Sequence, residues 1–297
     1  MRIVVSGATG LIGGALCTQL TQHGHDVVRL VRGTPTGSDV RWNPAAGELP
    51  AEALSGADAV INLSGAGIGD HRWTDTYRKE LLESRTRTTT LLAERMAASS
   101  QRPGVLLNGS AIGFYGASDD RVLDEHSPAG SGFLADLCVQ WEAATAAAEQ
   151  AGVRVAHLRT GIVLTPTGGA LKKMLPLFRL GAGGRFGNGR QWQSWISIDD
   201  EVAAIDHLLS SSVRGAVNLT APNPVTQAEF TKILAKVLKR PSFLPVPAFG
   251  PKLLLGGELA DALLFTGQKV MPRVLEGDGY SFAHRDLEVA LRGLLGR

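Results

Sequence analysis

The sequence predicts an α/β protein with a parallel, doubly wound sheet and a smaller mixed domain at its C-terminal end. The first observation is the opening segment, where a β-branched run at residues 3–5 leads into a glycine turn and an amphipathic helix pattern. The second is the alternation of buried-strand and helix patterns as far as Leu164. This alternation is typical of a parallel sheet that carries helices on both faces.

The elements of the first part follow in the order that such a sheet requires. Strand patterns begin at Ile3, His25, Asp58, Val105 and Val153, and the longest helix patterns cover Asp75 to Ser99 and Phe133 to Gln150. From Pro166 the composition changes, so we expect a dinucleotide-binding domain over residues 1–165 and a substrate domain over 166–297.

The second part contains fewer clear elements. Asp199 and Thr226 are expected to cap helices, the latter over 227–238, because their side chains can accept hydrogen bonds from the first free amides. Residues 217–219 form a strand pattern that we expect to rejoin the main sheet, and 241–247 is predicted to be extended.

Three glycines after the first strand, Gly7, Gly10 and Gly13, have the spacing of a phosphate-binding turn. The first permits a sharp turn, the second allows backbone amides to approach a diphosphate, and the third lets helix and strand pack closely. The positive end of the helix dipole then faces the anion. A turn whose glycines serve only helix packing is the alternative. The expected contact residues for a dinucleotide are Gly7, Thr9, Gly10, Leu11, Ile12 and Gly13.

The end of the second strand indicates which coenzyme binds. A site for NAD carries Asp or Glu at this position, where the carboxylate accepts a hydrogen bond from the ribose 2′-hydroxyl. This chain has Val31 and Arg32 there. A guanidinium group suits a 2′-phosphate instead, because it makes charge-assisted bidentate contacts. The sequence therefore predicts NADP(H).

Candidate substrate residues follow from the predicted sheet. Parallel sheets bind ligands at the carboxyl ends of their strands, where we expect Leu63–Ser64, Ser110 and Arg159–Val163. Tyr115 follows Ser110 in a glycine-rich turn. The glycine-dense loop 181–195 with its tryptophans is either a substrate loop or a structural loop held by buried indole rings.

Charge and cysteine content exclude several classes of function. Thirty Lys and Arg residues nearly balance 28 Asp and Glu residues, which gives a formal net charge of +2 and no strong field for nucleic acid or anionic membranes. Cys17 and Cys138 have no disulfide or metal spacing, and the seven histidines suggest no metal site. No apolar run approaches the roughly 18 residues of a membrane helix. We expect a cytoplasmic protein with a small-molecule substrate.

Several segments together resemble an extended short-chain dehydrogenase/reductase. They are the glycine turn, the Leu-x-x-Ser-x-x-x-Phe-Tyr-Gly segment that ends at Gly116, and Trp195 to Asp200. Four further segments resemble the NAD(P)-dependent epimerase branch with a C-terminal domain of unknown function: Cys138 to Glu142, Arg159 to Leu164, Met174 to Gly189, and Gly267 to Pro272. The resemblance spans essentially the whole chain.

The resemblance implies a Rossmann domain that binds NADP(H) and a nucleotide-sugar epimerase that acts by hydride transfer. It is also compatible with a homodimer. Coenzyme contacts that it implies are Val31, Arg32, Leu63, Ser64, Glu80, Arg85 and Val163. Taken alone, Glu80 and Arg85 look like surface charges of a helix.

The chain departs from this family at the usual proton-transfer pair. Short-chain enzymes use Tyr-x-x-x-Lys, in which the lysine lowers the pKa of the tyrosine. None of the three tyrosines has a lysine four residues later, and the expected helix carries Cys138 and Glu142 instead. Three hypotheses remain: proton transfer by Tyr115 with Ser110 as its partner, a reductase that draws its proton from water, or an NADP(H)-binding sensor with little catalysis.

Overall fold

The computed structural model describes residues 1–242, 246–247 and 249–297, and it describes residues 254 and 255 without their side chains. Part of the predicted extended stretch 241–247 therefore lies outside the described residues. The strands are β1 (Arg2–Ser6), β2 (Asp26–Val31), β3 (Val40–Arg41), β4 (Ala59–Asn62), β5 (Val105–Ala111), β6 (Val122–Leu123), β7 (Arg154–Thr160), β8 (Ile162–Leu164), β9 (Trp192–Gln193), β10 (Trp195–Ser197), β11 (Gly215–Leu219), β12 (Val225–Thr226) and β13 (Lys269–Val270).

The longest helix of the described residues is α2 (Asp75–Ala98), with 24 residues, and several short helices lie toward the C-terminus. The helices are α1 (Leu11–Gln22), α2 (Asp75–Ala98), α3 (Phe133–Ala143), α4 (Ala146–Gln150), α5 (Gly169–Arg179), α6 (Ile198–Ser210), α7 (Gln227–Leu238), α8 (Phe249–Leu255), α9 (Gly257–Ala260), α10 (Arg273–Gly277) and α11 (Leu287–Leu295). None of them combines the length and the apolar character that crossing a membrane requires.

The central feature is a seven-stranded sheet with the order β11-β7-β5-β4-β1-β2-β3. All of its strand pairs are parallel, which confirms the predicted fold class. The chain winds outward in one direction from β1 and in the other from β4, so the order reverses between these two strands. Ligands of doubly wound sheets bind in the crevice at the carboxyl ends of such a pair.

Two layers of helices cover the sheet. Side chains of a strand alternate between its faces, and β1 shows this directly. Ile3 and Val5 pack with Leu16 of α1 and Ile205 of α6 on one face, whereas Val4 packs with residues of α2 and α4 on the other. Each layer therefore buries its own apolar core against the same strands.

The helix predicted over 133–150 is divided in two. Thr145 is buried and donates both its amide and its hydroxyl group to the carbonyl oxygen of Glu142. These contacts tighten the chain between α3 and α4. Asp199 is not the cap of α6, because Ser197 accepts the hydrogen bond from the amide of Asp200. Thr226 does cap α7.

The C-terminal part builds a third core and three small sheets. The sheets pair β8 with β10, β9 with β12, and β6 with β13, and Leu171, Trp195, Phe230 and Leu291 belong to the core beside them. Beyond residue 165 the chain also returns to the main sheet, since α6 packs on it and β11 extends it. The predicted domain boundary at residue 165 therefore does not coincide with an edge of the sheet. It stays a prediction about which parts of the chain fold as units.

Candidate functional site

The turn between β1 and α1 has a backbone that requires glycine. Gly7 has φ +72°, and a Cβ on it would lie 2.5 Å from the carbonyl oxygen of Leu63, which follows β4. The amide of Gly10 donates to the carbonyl of Gly7 over 2.9 Å, and a Cβ on Gly13 would overlap that same carbonyl. The turn therefore brings the first amides of α1 to the crevice between β1 and β4.

The N-terminus of α1 is open at this crevice. Its N-cap residue, Gly10, makes no side-chain cap hydrogen bond, and Thr9 and Leu11 are exposed while Ile12 is half-buried. Free amides of a helix N-terminus favour an anion. These features fit a diphosphate group, because the N-cap residue Gly10 has no side chain that could cap the first amides of α1.

Val163 is brought near the same turn by packing. A Cβ on Gly168 would overlap the side chain of Leu11, so the segment after β8 lies directly on α1. Val163 itself belongs to β8 and pairs with Ile196 of β10. The structure thus gathers the predicted contacts from three elements: the glycine turn, the Leu63 loop and β8.

The end of β2 presents one basic side chain that none of the described residues engages. Arg29 donates from Nε and Nη2 to the two carboxylate oxygens of Asp39 over 2.6 and 2.9 Å. Val31 is half-buried and Arg32 is exposed. Arg32 is thus the guanidinium group at this strand end that is available to a phosphate.

A buried polar network lies beneath the crevice. Ser6 donates to Asn62 over 2.6 Å, and the amide group of Asn62 donates to Thr89 over 2.9 Å and to Asn108 over 2.8 Å. The indole of Trp141 donates to Thr89 over 3.0 Å. These contacts connect β1, β4, β5, α2 and α3. They therefore fix the relative positions of the strand ends that form the site.

The loop after β4 is held by one face of α2. Ser84 accepts from the amide of Ala66 over 3.0 Å, and Arg85 donates to the carbonyls of Ala66 and Leu81, each over 2.9 Å. Arg85 is only 7% exposed, and burial lowers its pKa. Glu80 lies on the exposed side of the helix. The family resemblance implied two contact residues on α2, Glu80 and Arg85, and of these only Arg85 reaches the site region.

A cavity of about 280 Å³ lies at the carboxyl ends of β5 and β7. Its wall comes from Ala111, Thr160, α3 and the segment 262–268, and most of it is apolar. Among the described residues that line it, Arg85 and Cys138 are the ionisable ones. It therefore contains no Tyr–Lys pair in the part of the chain that the structure describes.

Cys138 of α3 lines the cavity, on the helix where the family resemblance led us to expect the tyrosine. Burial and the neighbouring carboxylate of Glu142 raise the pKa of this thiol to about 11. Its Sγ lies 3.7 Å from the carbonyl oxygen of Ala111, which accepts its hydrogen bond. The thiol therefore stays protonated at neutral pH and cannot serve as a base.

Glu142, four residues after Cys138, is part of a buried ion pair with Arg159. Arg159 donates to its two oxygens over 2.8 and 2.9 Å, and Ser110 donates to it over 2.7 Å. Burial alone would raise the pKa of Glu142, but these hydrogen bonds outweigh it and hold the pKa below the usual value. The pair joins α3 to β7 behind the cavity wall.

Tyr115 does not occupy the position that the sequence hypothesis gave it. It is 2% exposed, donates to Asn218 over 2.7 Å and accepts from Arg159 over 3.0 Å. Ser110 is bonded to Glu142 and not to Tyr115, and neither residue is among the described residues of the cavity wall. Burial raises the pKa of Tyr115, so a direct role in proton transfer has no geometric support.

The two tryptophans of the loop 181–195 have different roles. Trp195 is fully buried and donates to the carbonyl of Asn223 over 3.1 Å. Trp192 lines the cavity and donates to Asp120 over 2.9 Å. Trp195 thus fits the interpretation as a structural loop, and Trp192 lies on the cavity wall, where the interpretation as a substrate loop would place it.

The segment 267–272 closes the cavity from the C-terminal side. Gly267 lies so close to the backbone of Trp192 that a Cβ would overlap its carbonyl oxygen. Ser194 donates to the carbonyl of Gln268 over 2.7 Å, and Gln268 donates to the carbonyl of Gly116 over the same distance. This segment therefore ties the cavity wall to the turn after β5.

With this geometry established, comparisons with known proteins give the family. Residues 3–220 match the NAD dependent epimerase/dehydratase family, and residues 246–294 match a domain of unknown function, DUF1731. The chain belongs to the NAD-dependent epimerase/dehydratase family. Both matches agree with the resemblance that the sequence motifs indicated.

Relatives within this family align along almost the whole chain. An epimerase family protein of Mycobacterium tuberculosis is 44% identical over 291 residues, covering 97% of this chain and 96% of the relative. The SDR39U1 homologue of Arabidopsis thaliana, described as chloroplastic, is 40% identical over 307 residues and covers 99% of this chain and 87% of the relative.

Two solved structures of the family have the same architecture. Human epimerase family protein SDR39U1, crystallised with NADPH, has a TM-score of 0.92 at 36% identity, with 100% of both chains covered. A protein from Corynebacterium glutamicum described as a nucleoside-diphosphate sugar epimerase has a TM-score of 0.80 at 37% identity, covering 100% of this chain and 58% of that one.

Two residues near the cavity were not singled out from the sequence. Thr160 was only part of the segment Arg159 to Val163, and Glu201 follows Asp199 and Asp200 in what looks like an ordinary acidic first turn of a helix. In the structure Glu201 is fully buried and is bonded to Thr160. The sequence signal that could have revealed Glu201 is a carboxyl group at an apolar position of the helix pattern.

Proposed function

We propose that this protein binds NADP(H) in the crevice between β1 and β4 and transfers hydride between the coenzyme and a small carbonyl or alcohol substrate in the cavity. The observation that carries the proposal is the turn at Gly7 and Gly13, where backbone of β1, α1 and the Leu63 loop approaches too closely for any side chain. This close packing brings the uncapped N-terminus of α1 to the crevice, where its amides can bind a diphosphate.

The phosphorylated coenzyme is supported by the end of β2. Arg29 is engaged by Asp39, whereas Arg32 is exposed and can form charge-assisted bonds to a 2′-phosphate. The crystal structure of the human relative contains NADPH. Thr9, Leu11, Ile12, Leu63, Ser64 and Val163 complete the proposed contacts.

The chain's own residues orient the reactants and exclude water. When bound, NADPH supplies a hydride from its nicotinamide ring. The apolar cavity wall excludes water and holds the substrate at the ends of β5 and β7. Arg85 offers the one cationic side chain among the described lining residues. A cytoplasmic location and a homodimer are further parts of this proposal.

The proposal is tested by following NADPH oxidation with a panel of ketones, aldehydes, quinones and nucleotide sugars. We expect coenzyme oxidation with at least one carbonyl compound or quinone, because the wall suits a small and largely apolar substrate. Tight NADPH binding without oxidation by any member of the panel would instead favour the sensor hypothesis.

The hypothesis that Tyr115 transfers the proton, with Ser110 as its partner, can be decided in the same assay. We expect Tyr115→Phe to retain turnover and to lower the stability of the fold, since the hydroxyl group bonds Asn218 and Arg159. A loss of about 100-fold or more in kcat, the usual scale of a lost general acid, would restore Tyr115 to the mechanism.

Nucleotide-sugar epimerisation is the second candidate, and it is favoured by the Corynebacterium glutamicum relative, which is described as a nucleoside-diphosphate sugar epimerase. An epimerase returns the hydride to its product, so it causes no net change in the coenzyme. Incubation of the NADP-loaded protein with nucleoside-diphosphate sugars, followed by NMR of the sugar, would reveal a second epimer. Its absence, together with oxidation of NADPH by a carbonyl compound, would exclude this candidate.

A further inference from the structure

Glu201 of α6 is a carboxyl group that the proposed function does not use. It is fully buried, its Oε1 accepts from the hydroxyl group of Thr160 over 2.8 Å, and its Oε2 has no hydrogen-bond partner among the described residues. No cation of the described chain forms a salt bridge with it. Burial raises its pKa to about 8, so Glu201 carries a proton at neutral pH.

The charged groups near Glu201 do not neutralise a negative charge on its carboxyl group. The preceding residue, Asp200, takes hydrogen bonds from Ser197 and from the hydroxyl group of Tyr280. His284 lies 3.5 Å from Asp200, and Arg159 on β7 is bonded to Glu142. Arg159 is therefore already paired, and the raised pKa of Glu201 comes from its burial.

Thr160 connects this carboxyl group to the cavity. It is the last residue of β7 and lines the cavity beside Ala111 and Gly161. A hydroxyl group has one hydrogen and can also accept. When Glu201 is protonated it donates to Oγ of Thr160. The hydrogen of Thr160 then has only the distant carbonyl oxygen of Leu158, at 3.4 Å, as an acceptor among the described residues, and it can turn to an acceptor in the cavity.

The other ionisable groups of the described wall cannot supply a proton as readily. Arg85 is held by the carbonyls of Leu81 and Ala66, and arginine does not lose its proton in proteins. The pKa of Cys138 is raised to about 11. The hydroxyl–carboxyl pair is thus the best proton source that faces the proposed substrate.

We infer that Thr160 donates the proton to the substrate oxygen and that Glu201 resupplies it. This inference rests on the proposed hydride transfer. As hydride forms a bond to the carbonyl carbon, the π pair of the C=O bond moves to oxygen and takes the proton of Thr160. The O–H bond of Glu201 breaks and its proton passes to Oγ of Thr160, which leaves a carboxylate. A proton from solvent returns through Thr160 after the alcohol has left.

A first test needs neither coenzyme nor turnover. Infrared spectra of the apo-protein with carbon-13-labelled glutamate should contain a protonated carboxyl band that disappears as pH rises through about 8. Glu201→Gln should abolish this band. Thr160→Val should shift it, because the carboxyl loses its hydrogen-bond partner, and Thr160→Ser should restore it. A band lost well below neutral pH, or one unaffected by Glu201→Gln, would overturn the inference.

A second test uses the oxidation of NADPH by an o-quinone or another accepted carbonyl compound. Glu201→Gln and Thr160→Val should each lower kcat about 100-fold, the lower end of the usual contribution of a general acid, with the Kd for NADPH unchanged. Thr160→Ser should retain most of the activity. In the unaltered protein kcat should fall as pH rises through about 8, and this fall should be absent in Glu201→Gln.

The controls separate this inference from the proposed function. Glu94→Gln, at an exposed position of α2, should leave both the infrared band and kcat unchanged. Failure of the unaltered protein to bind NADPH overturns the proposed function, and the infrared band still reports on the pair. Normal NADPH binding with unchanged kcat and pH profile in both Glu201→Gln and Thr160→Val overturns the proton relay alone.

Discussion

Neighbouring glycines of α1 differ in what an added methyl group would meet. A Cβ on Gly13 would overlap the carbonyl oxygen of Gly7, whereas a Cβ on Gly14 would lie 3.7 Å from the carbonyl oxygen of Ala8. The latter distance is an ordinary van der Waals contact. The two positions therefore form a matched pair within one helix.

We expect Gly13→Ala to lower the free energy of unfolding by about 1–3 kcal/mol, the usual effect of overpacking, and to weaken NADPH binding by displacing the turn. Gly14→Ala should leave binding intact and gain the helix propensity of alanine, about 1 kcal/mol. Urea denaturation and coenzyme titration of both variants provide the measurement. Equal stability and equal affinity would contradict the described packing.

Single residues also show where sequence reasoning succeeds. The glycines could be predicted because a left-handed φ or a close backbone approach requires glycine, and the turn requires it at a fixed spacing. The contacts of Tyr115 and Glu201 could not be predicted, because their partners lie about 40 to 100 residues away along the chain. For Glu201 the helix pattern indicated burial but not the partner. A residue type alone does not reveal such contacts.

At the scale of elements, an ion pair joins α3 to β7. Cys138 and Glu142 are four residues apart on one face of α3. Cys138 contacts Ala111 of β5, and Glu142 contacts Arg159 of β7. Arg159 meets Glu142 from β7, and its guanidinium carbon lies 3.4 Å from the ring centre of Phe114. The pair fixes the helix that forms one wall of the cavity.

Glu142→Gln should lower the free energy of unfolding at neutral pH by about 3–5 kcal/mol, because it leaves the Arg159 charge buried without its partner. The folded-state pKa of Glu142 lies below its usual value of 4.5. The stabilisation is therefore present above that value and is lost as pH falls through the folded-state pKa. Chemical denaturation at several pH values measures both effects.

A surface pair supplies the comparison. Glu83 and Arg87 of α2 are separated by 3.0 Å and lie at the surface, so Glu83→Gln should cost no more than about 0.5 kcal/mol. Similar losses from Glu83→Gln and Glu142→Gln would show that the α3–β7 pair is solvated and not buried.

At the scale of the molecule, the C-terminal segment completes the site that the main sheet begins. Gly267 packs on the backbone of Trp192, and Gln268 bonds the turn after β5. Gly267→Ala should lower the free energy of unfolding by about 1–3 kcal/mol and change the fluorescence of Trp192, because overpacking must move one of the two backbones.

Gly277→Ala is the matched control, since nothing lies within 4 Å of a Cβ added there. It should alter neither stability nor fluorescence appreciably. If Gly267→Ala behaved in the same way, the segment 267–272 would not close the cavity as described.

The sheet could be predicted from sequence more fully than the site. Alternating strand and helix patterns fix a parallel sheet, since each element buries an apolar face that its period reveals. The short strand β3 was missed because only Val40 and Arg41 form it. The cavity was missed in large part because residues of β5, β7, α3 and the segment 262–268 meet there only after the chain has folded.

The proposed coenzyme site has two parts, since the β1–α1 turn would bind the diphosphate of NADP(H) and Arg32 its 2′-phosphate. Calorimetric titration of the unaltered protein and of Arg32→Ala with NADPH and NADH measures both contributions. We expect the unaltered protein to bind NADPH more tightly than NADH. In Arg32→Ala we expect a loss of about 10- to 100-fold for NADPH, the scale of a hydrogen bond to a charged group, with NADH unaffected. Binding of neither coenzyme, or tighter binding of NADH, would contradict this proposal.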